Sequence, residues 1–412
     1  MIRLCGRTRA ETQRRRGNRF HSFSASLRPC VRSFVWLFVL SVACQPISGA
    51  AQDAPDKAEQ ASIPPPPAFA ESGDESTKYI VEKIATDLDN PCGLVLRPSP
   101  PAGGPYELFF SESGAGQVVR LSTDKPAEKT PVITGFPLAQ FREDSAYAIG
   151  PLGLEFITRT KLAVGTGGLG KGNDLVRVYS LPADDSALTY EQADHSVGPI
   201  PNDSRSNTGE GLFFALAKIE DELDKALYVT SSGDPDQGWV LKASMAGNKL
   251  ADLQPFIATR RVTGIGSPSA ATVNPKSRSH YLLIGQMGDQ GDERDSLLGF
   301  YGPTTGTPAV ILKSGLYDIT GLAYSPSGDL YALDAAHADP KSGGVYRIDA
   351  ADVDGRQSAR AVKIAAIERP TSLAFTPDGF LYVTAFGESA GAGQPPTGAL
   401  LKISPGPDAP KL

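Results

Sequence analysis

The sequence predicts an all-β protein built as a ring of six four-stranded units. From Lys78 onward one pattern returns six times: a short apolar strand, a turn rich in Pro, Gly and Asp, a second strand rich in Leu, Tyr and Val, a loop rich in Gly and Asp, and a third strand. The second strands carry marker residues at spacings of 54, 65, 53, 50 and 51, namely Phe109, Ala163, Tyr228, Tyr281, Tyr331 and Tyr382. A period near fifty with about four strands per unit is typical of a β-propeller, so six markers predict six blades.

Composition agrees with many short strands and turns. The chain of 412 residues contains 43 Gly and 34 Pro, which is a large number for a helical protein, and its 40% hydrophobic and 21% charged residues are ordinary for a globular one.

The fifth unit shows the strand order within a blade. Its inner strand is predicted at residues 320–325, the second at 330–334, the third at 345–349 and the outer at 360–367. The sixth unit stops after its third strand, at 400–404, which would leave an unpaired outer edge. We therefore predict that the strand at 78–85 completes blade six and closes a propeller that spans residues 78–412.

A family resemblance covers nearly all of residues 78–404. The run Asn90-Pro-Cys-Gly-Leu94 followed by Glu107-Leu-Phe-Phe-Ser-Glu-Ser-Gly114 resembles NHL-repeat and related TolB-like six-bladed propellers. The resemblance implies the fold and leaves the activity open, because this fold serves many functions.

The first 51 residues are predicted to be an export signal. Nine arginines and one acidic residue are followed by the apolar run 34–44 and by small residues at 48–51. We expect the mature protein in the periplasm, at the cell surface or secreted, cleaved near Ala50 and Ala51; the alternative is cleavage before Cys44 with a lipid anchor on that residue. Residues 52–77 are predicted to be a flexible to semi-rigid tether with polyproline geometry at 64–67.

Loss of that signal changes the charge. Of 40 basic and 46 acidic residues, 31 and 45 would remain, giving a net charge of −14. Such a chain repels phosphate backbones, so we predict no nucleic-acid partner. No segment after the signal is apolar for the about 20 residues that a membrane span needs, and we expect a monomer. Cys92 is the one cysteine that surely remains, and it is expected to be a buried hydrophobe rather than a nucleophile.

Six loops that join second to third strands are predicted to share one face of the ring. They are Glu112–Gln117, Gly165–Asp174, Ser231–Gly238, Gln286–Ser296, Asp334–Gly344 and Ala385–Gly398. All contain glycine and an acidic residue, so they could form a negative funnel around the channel; alternatively, Asp and Gly are simply the residues that tight loops use. The residues predicted to contact a ligand are Glu112, Lys171, Asp174, Asp289, Arg294, Asp334, His337 and Glu388.

Two of these loops are candidate calcium sites. Gly233–Gly238 and Gly288–Asp295 place carboxylates one or two residues apart, and the proposed ligands are Asp234, Asp236, Asp292 and Asp295. No loop has the complete ligand spacing of an EF-hand.

Two enzymatic alternatives follow from relatives of the fold. Quinone-dependent sugar dehydrogenases with six blades imply pyrroloquinoline quinone near His337 and Arg294. The carboxylates of its own loop would favour the charged form of His337, which could then be a general base or a proton shuttle; alternatively, it is simply an exposed loop histidine. The gluconolactonase family implies a metal-dependent hydrolase, to which Asn90 and Glu155 could contribute. No motif completes either site, so the favoured hypothesis is a scaffold that binds a small ligand or a protein.

The stretch GTGGLGKG at 165–172 resembles a nucleotide-binding loop. Both known motifs of this type need a helix after the glycines, whereas residues 173–181 alternate as a strand does. We therefore predict an ordinary loop of blade two, with Lys171 and Asp174 at its rim.

Overall fold

The computed structural model describes residues 64–98, 104–141, 147–184, 186–220, 224–276, 280–289, 293–386 and 397–412. The predicted export signal and residues 52–63 of the predicted tether lie outside these ranges. No helix in the described ranges is both long and apolar enough to cross a membrane.

The described chain consists mainly of short strands that form six blade sheets and one two-stranded sheet. Two strands, β1 (Gly73–Asp74) and β2 (Tyr79–Leu88), precede the first blade. Blade one contains β3 (Pro91–Leu96), β4 (Glu107–Glu112), β5 (Gln117–Ser122) and β6 (Lys129–Thr134). A short pair, β7 (Ala139–Gln140) and β8 (Ala148–Ile149), comes next. Blade two contains β9 (Pro151–Thr158), β10 (Lys161–Thr166), β11 (Val176–Ser180) and, after the two-residue β12 (Leu188–Thr189), β13 (His195–Val197).

The remaining blades repeat this order. Blade three contains β14 (Leu216–Glu220), β15 (Lys225–Thr230), β16 (Trp239–Ala246) and, after β17 (Lys249–Leu250), β18 (Gln254–Ala258), which the helix α1 (Thr259–Thr263) follows. Blade four contains β19 (Pro268–Val273), β20 (Leu282–Gln286), β21 (Leu297–Tyr301) and β22 (Pro308–Lys313). Blade five contains β23 (Ile319–Tyr324), β24 (Leu330–Asp334), β25 (Gly344–Val353) and β26 (Arg356–Ala366). Blade six contains β27 (Pro370–Phe375), β28 (Leu381–Ala385) and β29 (Gly398–Pro405). Turns of 3-10 helix occur at Ser76–Lys78, Tyr190–Gln192 and Pro340–Ser342.

The ring closes as the sequence predicts. Strand β2 pairs antiparallel with β29, from Tyr79 opposite Pro405 to Leu88 opposite Gly398, and so supplies the outer strand of blade six. The edge that β29 would otherwise leave unpaired is covered by the N-terminal strand. The six-bladed, all-β fold is thus confirmed.

The core lies between adjacent blades, because each blade buries both faces of its sheet. Six apolar clusters follow one another around the ring, each with residues from two neighbouring blades. In β4, for example, Phe109 packs toward blade two and Phe110 toward blade six. This is the alternation expected of a strand that is buried on both sides.

Five of the six marker residues lie in second strands, and the fourth does not. Tyr281 precedes β20 and is 40% exposed, whereas Leu283 occupies the equivalent buried position. The repeat pattern favours Tyr281 as the marker because most other blades have an aromatic residue at this point. In the structure Tyr281 precedes β20 and faces solvent.

The second half of the predicted tether is attached to blade five. Strand β1 pairs parallel with β26, and the Ala70 amide donates to the Ala359 carbonyl at 2.9 Å. The Arg356 guanidinium donates to the Pro65 carbonyl at 2.7 Å, and the Phe69 ring packs against Gly315. Residues 64–74 therefore cover the outer edge of this blade instead of forming a free linker, because that edge offers unsatisfied backbone groups.

Candidate functional site

Six backbone positions define one end of the propeller channel. In each blade a backbone carbonyl that precedes the inner strand accepts a hydrogen bond, 2.8–3.1 Å long. The donor is a backbone amide at the start of the loop between the second and third strands. We call these six residues the mouth ring; they are Asn90, Gly150, Gly211, Ser267, Asp318 and Arg369. The six predicted loops begin beside the mouth ring, at the ends of the second strands, which places them on one face of the molecule.

Two predicted acidic residues of this face hold the loops in place. Asp334 is 1% exposed and accepts hydrogen bonds from the amides of Tyr317, Asp318 and Ala336 at 3.1, 2.8 and 3.1 Å. Asp174 is fully buried and accepts from the amides of Leu169 and Leu212 and from a hydroxyl of its own loop. Burial raises the pKa of both carboxyl groups, and these hydrogen bonds oppose the rise.

Glu112 is also taken up by internal contacts. It is 1% exposed, pairs with the Lys129 ammonium at 2.8 Å and accepts a hydrogen bond from the Gln117 amide at 2.6 Å. The carboxylates of Glu112, Asp174 and Asp334 thus bind donors of the protein itself. They contribute less negative charge to the channel mouth than the predicted funnel requires.

The structure describes three of the four predicted calcium ligands, Asp234, Asp236 and Asp295. Asp234 is 2% exposed and accepts from the amides of Asn207 and Asp236 at 2.7 and 2.9 Å, while the Asp236 side chain is exposed. Asp295 accepts from the Asp289 amide at 3.1 Å, and Asp292 lies outside the described residues. In the part of the chain that the structure describes, no group of three or more His, Cys, Asp or Glu residues is arranged to hold a metal ion.

The other predicted ligand contacts lie around the rim. Asp289 binds the Arg260 guanidinium through two hydrogen bonds of 3.0 Å. Arg294 lies 5.3 Å from the centre of the Tyr317 ring, and Lys171 is exposed. The His337 side chain is exposed, and its backbone amide donates to Asp318 at 2.8 Å. Glu388 lies outside the described residues.

The positions suggested by the hydrolase relatives have separate environments. The Asn90 side chain donates to the Ala148 carbonyl at 2.9 Å, at the mouth ring. Glu155 lies in the middle of β9, where burial raises the pKa of its carboxyl group to about 7 although the Lys218 ammonium opposes the rise. Cys92 is buried as expected, and burial raises the pKa of its thiol to about 12, so it is no nucleophile at neutral pH.

The glycine-rich stretch at 165–172 comprises the last two residues of β10 and the loop that follows it. It joins β10 to β11, and Asp174 closes it through the hydrogen bonds described above. A strand follows the glycines, so the helix N-terminus that a phosphate would need is not present at this loop.

An apolar feature of the loop face was missed by sequence reasoning. The β7–β8 pair extends from blade two across blade one, where Ala148 accepts the hydrogen bond from Asn90, and reaches blade six, where Tyr147 stacks on Phe386. The two ring centres are 5.5 Å apart and the ring planes differ by 12°. In the same segment Leu138 is 49% exposed, and Phe141, whose amide donates to the Tyr147 carbonyl at 3.0 Å, is 37% exposed.

We call Leu138, Phe141, Tyr147 and Phe386 the apolar patch. Its sequence signal is the connection of residues 135–150 between β6 and β9, which carries Leu138, Phe141 and Tyr147. The patch lies on the loop face because the segment 136–138 packs against Gly116 and Gly168 of the first two loops.

Two cavities lie elsewhere on the propeller. One of about 370 Å³ is lined by Lys242, Asp252 and Phe256 on blade three, and one of about 430 Å³ by Lys161, His195 and Lys249 between blades two and three. Lys161 begins β10, so the second cavity opens near the end of blade two that is opposite to the loop face.

Comparisons with known proteins give two distant structural similarities and no family. No protein-family profile matches the chain, and no curated protein sequence matches it. Among solved structures it is similar to the WD40 β-propeller domain of Doa1, with a TM-score of 0.44 and 12% identity over 78% of this chain and 96% of that chain. It is also similar to the hydrazine synthase of Kuenenia stuttgartiensis, with a TM-score of 0.44 and 13% identity over 72% of this chain and 74% of that chain. The chain is a six-bladed β-propeller on the basis of its own six sheets, and the NHL-repeat and TolB-like resemblance stays a prediction.

Proposed function

We propose that this protein is an exported binding scaffold that uses its loop face to hold a small ligand or a protein partner. The observation that carries the proposal is the apolar patch. Leu138 and Phe141 expose large apolar side chains on the loop face, and the Phe141 backbone is hydrogen-bonded to Tyr147 of the aromatic stack. Apolar groups that converge on a polar face are a common mark of an interaction site.

The acidic residues of the face support the same function. Glu112, Asp174 and Asp334 are buried and bind groups of their own chain, so they stiffen the loops. A rigid platform lowers the entropy cost of binding, because fewer side chains and loops have to be ordered.

The proposal is tested by site-specific crosslinking in cells. A photo-reactive phenylalanine analogue is placed at Leu138 and, as a matched control, at Ile80, which has a similar exposure of 51% but lies on the outer strand β2. Adducts that form from position 138 and not from position 80 are expected. Equal yields at both positions, or none at 138, would contradict a binding role for the loop face.

A further inference from the structure

The outer edge of blade five binds a segment of the chain, residues 64–75, as an extended peptide. We call this segment the strap. It lies along β26, with which its strand β1 forms a short parallel pairing. The Ala70 amide donates to the Ala359 carbonyl at 2.9 Å, and the Glu75 amide donates to the Lys363 carbonyl at 2.8 Å. Strand β26 therefore binds the strap in the way that a sheet edge binds an added strand.

Three side chains of β26 bind backbone carbonyls of the strap. These hydrogen bonds, of 2.7, 2.6 and 3.1 Å, join Arg356 to Pro65, Ser358 to Ala68 and Arg360 to Glu71. The donors recur at every second residue of β26 and so share one face of the strand. The acceptors recur at every third residue, which is the period of a polyproline II helix, and residues 64–67 are all proline. Because these contacts are made to the backbone, they select an extended, proline-containing segment more than a particular sequence.

Two side chains of the strap add an apolar and a charged contact. The Phe69 ring packs against Gly315, where an added β-carbon would lie 2.9 Å from the ring. Glu75 pairs with the Arg347 guanidinium at 3.3 Å. A ligand of this surface therefore combines prolines with an aromatic residue and, further along, an acidic residue.

The strap is not part of the core. The structure describes every residue of the strap, and each is exposed or half-buried; none is a member of the six apolar clusters. Only the turn Ser76–Lys78, which also contains no buried residue, joins the strap to the ring-closing strand β2. The strap can therefore leave β26 without opening the core, and its departure exposes the unpaired backbone groups of a sheet edge.

We propose that the outer edge of blade five is a peptide-binding groove for an extended, proline-containing segment of a partner protein, and that the strap occupies this groove as an intramolecular competitor. The partner segment shares the chemistry of the strap: prolines, then an aromatic residue, then an acidic residue. The groove is a different surface from the apolar patch, so the inference goes beyond the function proposed above. Because the strap is covalently attached, its effective concentration is on the order of millimolar, and a partner binds by competing with it.

Binding of a synthetic peptide to the full-length protein tests the proposal. A fluorescein-labelled peptide of residues 64–77 is titrated by anisotropy against the wild type and against the strap variant Phe69→Ala/Ala70→Pro. This variant removes the apolar contact and one amide donor of the strap and leaves β26 unchanged. In the same background, Arg356→Gln/Arg360→Gln removes two donors of the groove. Arg261→Gln, which changes an exposed arginine of α1, is the matched control.

We expect the strap variant to bind the peptide at least about 10-fold more tightly than the wild type, because its own strap competes less well. The groove substitutions should weaken this binding by about 10-fold to 100-fold, the range for lost hydrogen bonds to charged groups. The inference is overturned if the strap variant binds the peptide no better than the wild type, or if the groove substitutions weaken binding no more than Arg261→Gln does. A strap variant that fails to fold would also overturn it, since the strap would then be part of the structural core.

Discussion

Replacement of Glu155 by glutamine should stabilise the protein at neutral and alkaline pH. In blades one, three, five and six a large marker residue lies opposite a small inner-strand residue; these pairs are Phe109 with Val95, Tyr228 with Ala217, Tyr331 with Ala323, and Tyr382 with Ala374. Blade two reverses the sizes, with Ala163 opposite Glu155. The carboxyl group thus lies where other blades have an aromatic ring, and this burial is the main cause of its raised pKa.

The magnitude follows from linkage. A folded-state pKa of about 7 against an ordinary value of 4.5 corresponds to about 3.4 kcal/mol, at about 1.36 kcal/mol per pKa unit. The side chain keeps some solvent contact, so we expect about 2 kcal/mol. Because the folded state holds this proton more tightly than the unfolded state, the wild type loses this stability as pH rises from about 4.5 to 7 and has lost it above pH 7. Glutamine is neutral throughout and avoids the loss.

Urea denaturation between pH 4.5 and 8.5 measures the effect. Glu155→Gln should have a free energy of unfolding close to that of the wild type at the acidic end and about 2 kcal/mol higher at pH 8. Glu220→Gln is the matched control, since Glu220 lies 3.4 Å from the same Lys218 but its side chain is 53% exposed. The reasoning is refuted if the stability difference between Glu155→Gln and wild type does not change with pH.

Three further predictions concern stability. Asp334→Ala leaves three backbone amides without their acceptor and should lower the free energy of unfolding by about 2–4 kcal/mol in urea titrations, while Asp339→Ala in the same loop, at an exposed position, should change it by less than about 1 kcal/mol. Deletion of residues 64–77 should lower the melting temperature and keep a single cooperative transition, because the ring-closing strand is retained; loss of cooperativity would show that this segment also closes the ring. Gly93→Ala would place a β-carbon 2.3 Å from the Leu152 carbonyl oxygen and should cost about 3 kcal/mol or more, and an unchanged melting curve would contradict the close approach of these inner strands.

Much of the fold could be predicted from the sequence, and less of the site. The second strand of blade five is found at the predicted residues 330–334, and all six loops lie between the strands that the repeat indicates. Glu112, Asp174 and Asp334 are buried where these loops begin or end. Their use was not predicted, because Asp174 accepts from Leu212 and Asp234 from Asn207, which belong to distant parts of the chain.

The sequence by itself determined the number of blades, the strand order and the closure by the N-terminal strand, since these depend on local alternation and on a repeat that can be counted along the chain. The tertiary structure alone decided which side chains meet: that the segment 64–74 binds blade five and that Tyr147 reaches Phe386. Ring closure brings together residues more than 200 positions apart, and spacing along a single sequence contains no information on such contacts.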